Sequence, residues 1–132
     1  MELPTDTLSL RYGMQVLLCA ADGPRLGSDR DAVDLVGQAL ADRVELVVIP
    51  PERLDDGFFT LSTGIAGEIM QKFVNYGVRL AIVGDLTRQL EASSALRDLV
   101  YETNRGWQVW FLAHLGELDE RLERLQAHSA GA

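Results

Sequence analysis

Short apolar segments of strand length alternate with longer segments whose apolar residues recur at helical spacing, and this alternation constrains the fold more than any other feature. The apolar segments cover residues 14–20, 44–49, 78–83 and 107–113. They have the length of strands, and two of them are rich in the β-branched residues that strands favour. Strands that alternate with helices form a largely parallel sheet with right-handed crossovers. The sequence therefore predicts an α/β fold.

Residues that commonly begin and end helices mark the segments between these strands. Ser28, followed three residues later by Asp31, is typical of a helix start, and the apolar stripe of this first helix extends to Leu40. A second helix is predicted over residues 62–76, after a connection over residues 51–61. A third begins at Ser93-Ser94 and ends at Asn104-Arg105-Gly106. Four leucines stripe a final charged helix: Leu115, Leu118, Leu122 and Leu125.

A further short strand is predicted over residues 8–12, where apolar and polar residues alternate weakly before Gly13. Because only this glycine separates it from the next strand, the two should pair as an antiparallel hairpin at or near one edge of the sheet. The predicted architecture is a mixed, mostly parallel sheet of about five strands with about four helices. We expect a single domain over residues 1–128 and a disordered tail over residues 129–132.

Charge and composition exclude several classes of partner. The net charge is −8 and the arginines are scattered, so the electrostatic field repels nucleic-acid phosphates and no basic patch offsets it. No apolar run approaches the roughly 20 residues that span a bilayer. The acidic N-terminus lacks a hydrophobic signal region, and the single cysteine, Cys19, suits a reducing compartment. These features predict a cytoplasmic protein that binds neither nucleic acid nor membranes.

The middle of the chain carries a long and specific string of residues. It reads FFTLSTGIAGEIMQKF over residues 58–73, and it continues with LAIVGD over residues 80–85 and with Glu102-x-Asn104-Arg105-Gly106. This string closely resembles a bacterial family of small stand-alone domains of unknown function, and the resemblance covers nearly the whole chain. It implies no particular activity.

The same region has a looser resemblance to the STAS domain, the fold of bacterial anti-sigma factor antagonists. In those proteins a strand leads to a loop with an Asp-Ser-Ser/Thr-Gly pattern, and the loop opens a helix that a further strand follows. Ser62-Thr63-Gly64 falls at the corresponding place, although Leu61 stands where that family has aspartate. The resemblance implies a STAS-like fold and phosphorylation of Thr63 by a partner kinase.

The leading functional hypothesis is a non-enzymatic regulatory or protein-interaction module. Its contact surface would be the loop and helix start around residues 58–72, where a helix start with free backbone N–H groups suits an anion or a phosphate-accepting switch. Simple capping by Ser62 or Thr63 is the alternative reading of the same residues. The candidate binding residues are Phe58, Phe59, Ser62, Thr63, Gly64, Glu68, Lys72 and Asp85.

Several of these residues also have a purely structural interpretation. Phe58 and Phe59 are either core residues or an exposed contact patch. Glu68 and Lys72, spaced i,i+4 on a helix, suit an exposed ion pair as well as a partner contact. The final leucine stripe suits packing on the sheet first and a homodimer second, because its length falls short of a coiled coil.

The second functional hypothesis is a small-molecule binding protein or enzyme with a pocket at the carboxyl edge of the sheet, where ligands bind in open α/β folds. Thr63, Asp85 and His114 would converge there. Against an enzyme, the sequence has no phosphate-binding loop, no dinucleotide fingerprint and no catalytic triad motif. Two separated histidines and one cysteine make no metal-ligand pattern, so neither a cofactor nor a metal is predicted.

Overall fold

A five-stranded sheet organises the molecule, which we describe from a computed structural model over residues 6–130. The strands are β1 (Thr7–Arg11), β2 (Met14–Leu18), β3 (Leu46–Ile49), β4 (Arg79–Val83) and β5 (Val109–Leu112), and they lie side by side in chain order. β1 pairs with β2 in antiparallel orientation, and every later pairing is parallel. The predicted α/β fold with a mixed, mostly parallel sheet is confirmed.

Within residues 6–130, six helices connect or follow these strands. They are α1 (Asp29–Ala41), α2 (Asp56–Phe59), α3 (Ile65–Asn75), α4 (Thr87–Ala92), α5 (Ser94–Asn104) and α6 (Leu115–Ala130). Short 3₁₀ turns lie at Pro51–Arg53 and Leu61–Thr63. Four of the helices are long enough to cover the sheet, as predicted, whereas α2 and α4 are short pieces within loops. None of the helices within residues 6–130 has the length and apolar composition needed to cross a lipid bilayer.

The two faces of the sheet are covered unequally. α1, α3 and α5 pack on one face, together with strand residues such as Leu17, Val47 and Ile82. Three right-handed crossovers between strands in chain order place all their helices on the same side. In the described part of the chain, α6 alone covers the other face, where Leu118 and Leu122 meet the strands.

Local signals set most of the element boundaries. The Ser28 hydroxyl accepts a hydrogen bond from the Asp31 N–H at 3.2 Å, and the Ser93 hydroxyl accepts one from the Leu96 N–H at 3.1 Å, so both predicted caps are confirmed. α3 begins three residues later than predicted because the chain first makes the turn at Leu61–Thr63. α6 includes residues 129 and 130, which the sequence placed in the tail, and residues 131–132 lie outside the described part.

Candidate functional site

The 3₁₀ turn before α3 holds the central residues of the predicted contact surface. The Thr63 hydroxyl lies 2.7 Å from the carbonyl oxygen of Gly57 and 2.8 Å from that of Thr60, and it donates its one hydrogen toward them. The same hydroxyl accepts a hydrogen bond from the Ile65 N–H at 3.2 Å. Gly64 has a φ of 79°, a left-handed conformation that favours glycine. Thr63 and Gly64 therefore fix the direction in which the chain enters α3.

An open groove of about 440 Å³ runs beside this turn, at the carboxyl edge of the sheet. Residues 59–62 line one wall, and Gln89, Ala92, Ser93 and Ala95 line the other. Ser62 and Ala95 are both exposed, so a molecule in the groove would meet a side chain from each wall. None of the residues of the second wall was among the predicted binding residues, because α4 is short and its polar residues give no apolar stripe.

The two phenylalanines of the predicted contact patch have different surroundings. Phe58 is fully buried, and its ring lies 6.3 Å from that of Phe111 on β5. Phe59 is partly buried, packs edge-on against Phe58 at 5.3 Å, and lines the groove. Phe58 is therefore a core residue, and only Phe59 can contribute to a contact surface.

The charged residues of α3 are not paired with each other. Glu68 is exposed and Lys72 is partly exposed, and within residues 6–130 no ion pair joins them. Gly67, one residue before Glu68, has open space on its side-chain side, where an added methyl group would meet nothing within 4 Å. No neighbouring helix therefore explains this glycine, and both charges remain available for a partner.

Asp85 forms a turn that starts α4. Its carboxylate accepts hydrogen bonds from the Thr87 hydroxyl at 2.6 Å and from the Thr87 N–H at 2.9 Å. The hydroxyl bond and then the backbone bond hold the pKa of Asp85 below its usual value. The carboxylate is therefore ionised at neutral pH and already engaged within its own loop.

The three residues expected to converge at the carboxyl edge each interact locally. Asp85 lines a cavity of about 240 Å³ whose walls include neither Thr63 nor His114. His114 is exposed, and its Nε2 lies 3.7 Å from the carboxylate of Glu117, three residues along the chain. Within residues 6–130 no group of three or more His, Cys, Asp or Glu side chains is arranged to hold a metal ion.

Arg53 is a buried charged residue that sequence analysis did not single out. It is only 3% exposed, and its guanidinium lies 2.9 Å from the Asp6 carboxylate. The same guanidinium donates to the carbonyl oxygens of Ala20 and Pro24. Arg53 therefore bonds to the residue before β1 and to two positions in the loop between β2 and α1. Nothing in the local sequence distinguishes it from the exposed arginines.

Asn104 was predicted only as part of a helix exit, yet its side chain also closes an edge of the sheet. The amide oxygen accepts from the Phe111 N–H at 2.7 Å, and the amide nitrogen donates to the Phe111 carbonyl at 2.9 Å. The side chain thus occupies the backbone groups on the outer side of β5 as a further strand would. The Asn104 carbonyl in turn accepts a hydrogen bond from Arg121 on α6.

Cys19 is held as a neutral thiol beside Arg53 and Asp6. Burial and then the negative charge of Asp6 together raise the pKa of Cys19 from its ordinary value of 9.0 to about 12. The thiolate is the reactive form of cysteine, so a thiol with this pKa is a poor nucleophile at neutral pH. Cys19 is 8% exposed and lies in the apolar core.

This pKa predicts a specific loss of stability at alkaline pH. The folded state keeps the thiol protonated to higher pH than the unfolded chain, so the stabilisation is complete below pH 9.0 and is lost as pH rises toward about 12. We expect the melting temperature of the wild type to fall more steeply above pH 9.0 than that of Cys19→Ala. Parallel decreases in the two proteins would contradict this expectation.

Comparisons with known proteins assign the chain to a family and leave its activity open. A family model described as a domain of unknown function (DUF4180) matches residues 11–122, which includes all five strands except the first four residues of β1. Comparisons with curated proteins and with solved structures find no match. The chain, matched over most of its length, therefore belongs to the DUF4180 family of domains of unknown function.

Proposed function

We propose that this chain is a non-enzymatic regulatory or protein-interaction module that binds a partner protein at residues 59–72, here named the 59–72 surface, and in the groove beside it. The surface begins at Phe59 because Phe58 is buried. It presents exposed polar groups at Ser62, Thr63 and Glu68, and its residues 59–62, which include the exposed Thr60 and Ser62, line a groove open to solvent. This combination of an open groove and exposed polar groups on one rim is the observation that carries the proposal.

A partner peptide suits this groove better than a small metabolite does. Small-molecule sites bury most of the ligand surface in a concave, mostly apolar pocket. Here one wall is a 3₁₀ turn, the other is the junction of α4 and α5, and Ser62 and Gln89 contribute polar groups along an open channel. The alternative of a metabolite pocket at the carboxyl edge has less support, because Thr63, Asp85 and His114 are each engaged locally.

A phosphate on Thr63 would change the shape of the 59–72 surface. The hydroxyl now donates toward the carbonyls of Gly57 and Thr60, whereas a phosphate oxygen is an acceptor and would repel them. The added charge would lie at the amino end of α3, where the helix dipole favours anions. The order of loop, α3 and β4 also supports the proposed STAS-like relationship, in which phosphorylation at this position is the switch.

The contact proposal is tested by placing arginines in the groove. The double variant Ser62→Arg with Ala95→Arg changes one exposed residue on each wall and no buried one. The tagged variant and the tagged wild type would each be incubated with a lysate of the cells that naturally produce this protein. The proteins that each one retains would be identified by mass spectrometry. We expect at least one protein bound by wild type to be lost, and calorimetry with that purified protein to show at least about a tenfold weaker Kd, equivalent to about 1.4 kcal/mol.

The matched control is Ala127→Arg, which changes an exposed alanine on α6, away from the groove. It should retain the same proteins as wild type, and all variants should keep the wild-type melting temperature. Equal retention by wild type, control and groove variant would reject the 59–72 surface. For the switch, Thr63→Glu should alter binding of the purified partner while Thr63→Ser does not, and unchanged affinity in both would reject it.

A further inference from the structure

The outer edge of β1 presents backbone groups that no strand of the described chain pairs with. Tyr12 and Gly13 have φ values of 49° and 78°, so they form a two-residue hairpin turn flanked by the pair Arg11 and Met14. The two residues that flank such a turn bond to each other through their backbone N–H and C=O groups. Along the hairpin, residue pairs that form these bonds then alternate with pairs that do not. Leu8 and Leu10 therefore direct their N–H and C=O groups away from β2.

The other side of β2 supports this assignment. The Gln15 carbonyl accepts a hydrogen bond from the Glu45 N–H at 2.9 Å, and the Gln15 N–H donates to the Glu45 carboxylate at 3.2 Å. Both backbone groups of Gln15 thus point toward β3. Its partner across the hairpin, Leu10, receives no hydrogen bond from it and must direct its own groups outward.

Leu8, Ser9 and Leu10, the middle of β1, carry none of the charges, prolines or bulges that often protect an edge strand. Natural edges carry outward charges, proline or bulges that prevent pairing with another chain. Two charged residues lie at the ends of the strand, and both make ion pairs within the subunit: Asp6, just before it, with Arg53 at 2.9 Å, and Arg11, its last residue, with Asp119 at 2.8 Å. The opposite edge of the sheet is closed at Phe111 by the side chain of Asn104.

β1 also carries exposed apolar side chains. Leu8 and Leu10 are 46% and 73% exposed, and they lie on the same face because they are two residues apart in a strand. The strand contains no carboxylate, although the chain as a whole has a net charge of −8. An edge with free backbone groups, two exposed leucines and no acidic residue is suited to pairing with another strand.

We propose that β1 pairs antiparallel with β1 of a second copy of this chain and so forms a homodimer with one continuous sheet. A twofold axis at Ser9 places Leu8 opposite Leu10 of the partner subunit, so that the outward backbone groups of these residues bond to each other. The same register packs the leucines together on one face. The two copies use identical segments, which is the self-complementary arrangement of a twofold dimer.

This dimer should be weak and sensitive to salt. A single strand pair is a small interface, which is typical of transient association. Two chains of net charge −8 repel each other, and added salt screens this repulsion. The proposal is independent of the 59–72 surface, because β1 contributes no residue to that surface and the two are tested with different variants.

The dimer is tested by sedimentation equilibrium, measured over a wide range of protein concentration and at two salt concentrations. Wild type should show reversible association that strengthens with salt. Leu10→Lys should remain monomeric, because it places a charge where the leucines of the two copies would pack. The subunit should still fold, since Leu10 is exposed and outside the core. Leu40→Lys is the matched control, since Leu40 on α1 is 47% exposed and outside the strand, and it should associate like wild type. A wild type that is monomeric throughout, or a Leu10→Lys variant that still dimerises, would overturn the proposal.

The register has its own test by disulfide cross-linking. Ser9 on the axis would lie opposite Ser9 of the partner subunit in a non-hydrogen-bonded pair, where Cα atoms are about 4.5 Å apart and within reach of a disulfide. Ser9→Cys should therefore form a linked dimer on mild oxidation. Gln15→Cys on the inner strand should not, and the native Cys19 is buried in both. No linked dimer from Ser9→Cys, or equal yields from both variants, would reject this pairing.

Discussion

Replacement of Arg53 by methionine should lower the free energy of unfolding by about 3 kcal/mol, the low end of the range for breaking a buried ion pair by removing one partner. The variant leaves the Asp6 carboxylate, whose side chain is 16% exposed, without its cation. It also removes hydrogen bonds to the carbonyls of Ala20 and Pro24. Methionine fills much of the volume of the arginine stem, so the loss measures polar contacts more than packing. Urea unfolding followed by circular dichroism gives the value.

Arg25 provides the control for this prediction. It makes a longer ion pair with Asp55 at 3.9 Å, and the two side chains are 60% and 46% exposed. Arg25→Met should therefore cost less than about 0.5 kcal/mol, because exposed pairs contribute little. Adding Asp6→Asn to Arg53→Met should restore part of the loss, since it removes the unpaired charge. Equal stability of the Arg53 and Arg25 variants would show that the buried pair contributes nothing net.

The second large effect is expected at Phe58. Phe58→Ala should cost about 3–5 kcal/mol, the usual range for truncating a fully buried phenylalanine. The ring is completely buried and contacts the rings of Phe59 and Phe111. Removing it leaves a cavity beneath the 3₁₀ turn that leads into α3. Thermal and urea unfolding of the variant give the loss.

Phe59 is the matched comparison, because it is the same residue type one position later and only partly buried. Phe59→Ala should cost less than Phe58→Ala, by about 1 kcal/mol or more, since less apolar surface returns to water. Equal losses would contradict the core assignment of Phe58. The difference also matters for binding experiments, because a variant of Phe58 would lose partners through unfolding and not through a missing contact.

Elements with strong local signals could be predicted from the sequence. Ser28 and Ser93 cap helices through contacts within three residues, so the pattern of nearby residues is sufficient. The strands were recognisable because their apolar runs are short and uniform. The hairpin at the edge followed from the position of Gly13 between the weakly alternating residues 8–12 and the apolar run that begins at residue 14. These features depend on neighbours in sequence, and all of them are confirmed.

Features that depend on distant residues could not be predicted. Arg53 is buried because Asp6, Ala20 and Pro24 surround it, and no pattern near Arg53 shows this. The pairing of Asn104 with the backbone of Phe111 depends on how α5 packs against β5. For the candidate site, the sequence predicted a loop and helix start around residues 58–72, but it did not predict the 3₁₀ turn at Leu61–Thr63 and named no residue of α4 or α5 as a binding residue.

The order of the strands has a consequence for synthesis of the protein. Because the sheet order follows the chain order, a nascent chain can add each strand to the edge of the sheet as it leaves the ribosome. The segment translated last among those described, α6, is also the one that covers the second face of the sheet. The apolar surface of Val16, Val48 and Ala81 therefore stays exposed to water until α6 has emerged, and a chain stalled before that point would expose one apolar face of its sheet.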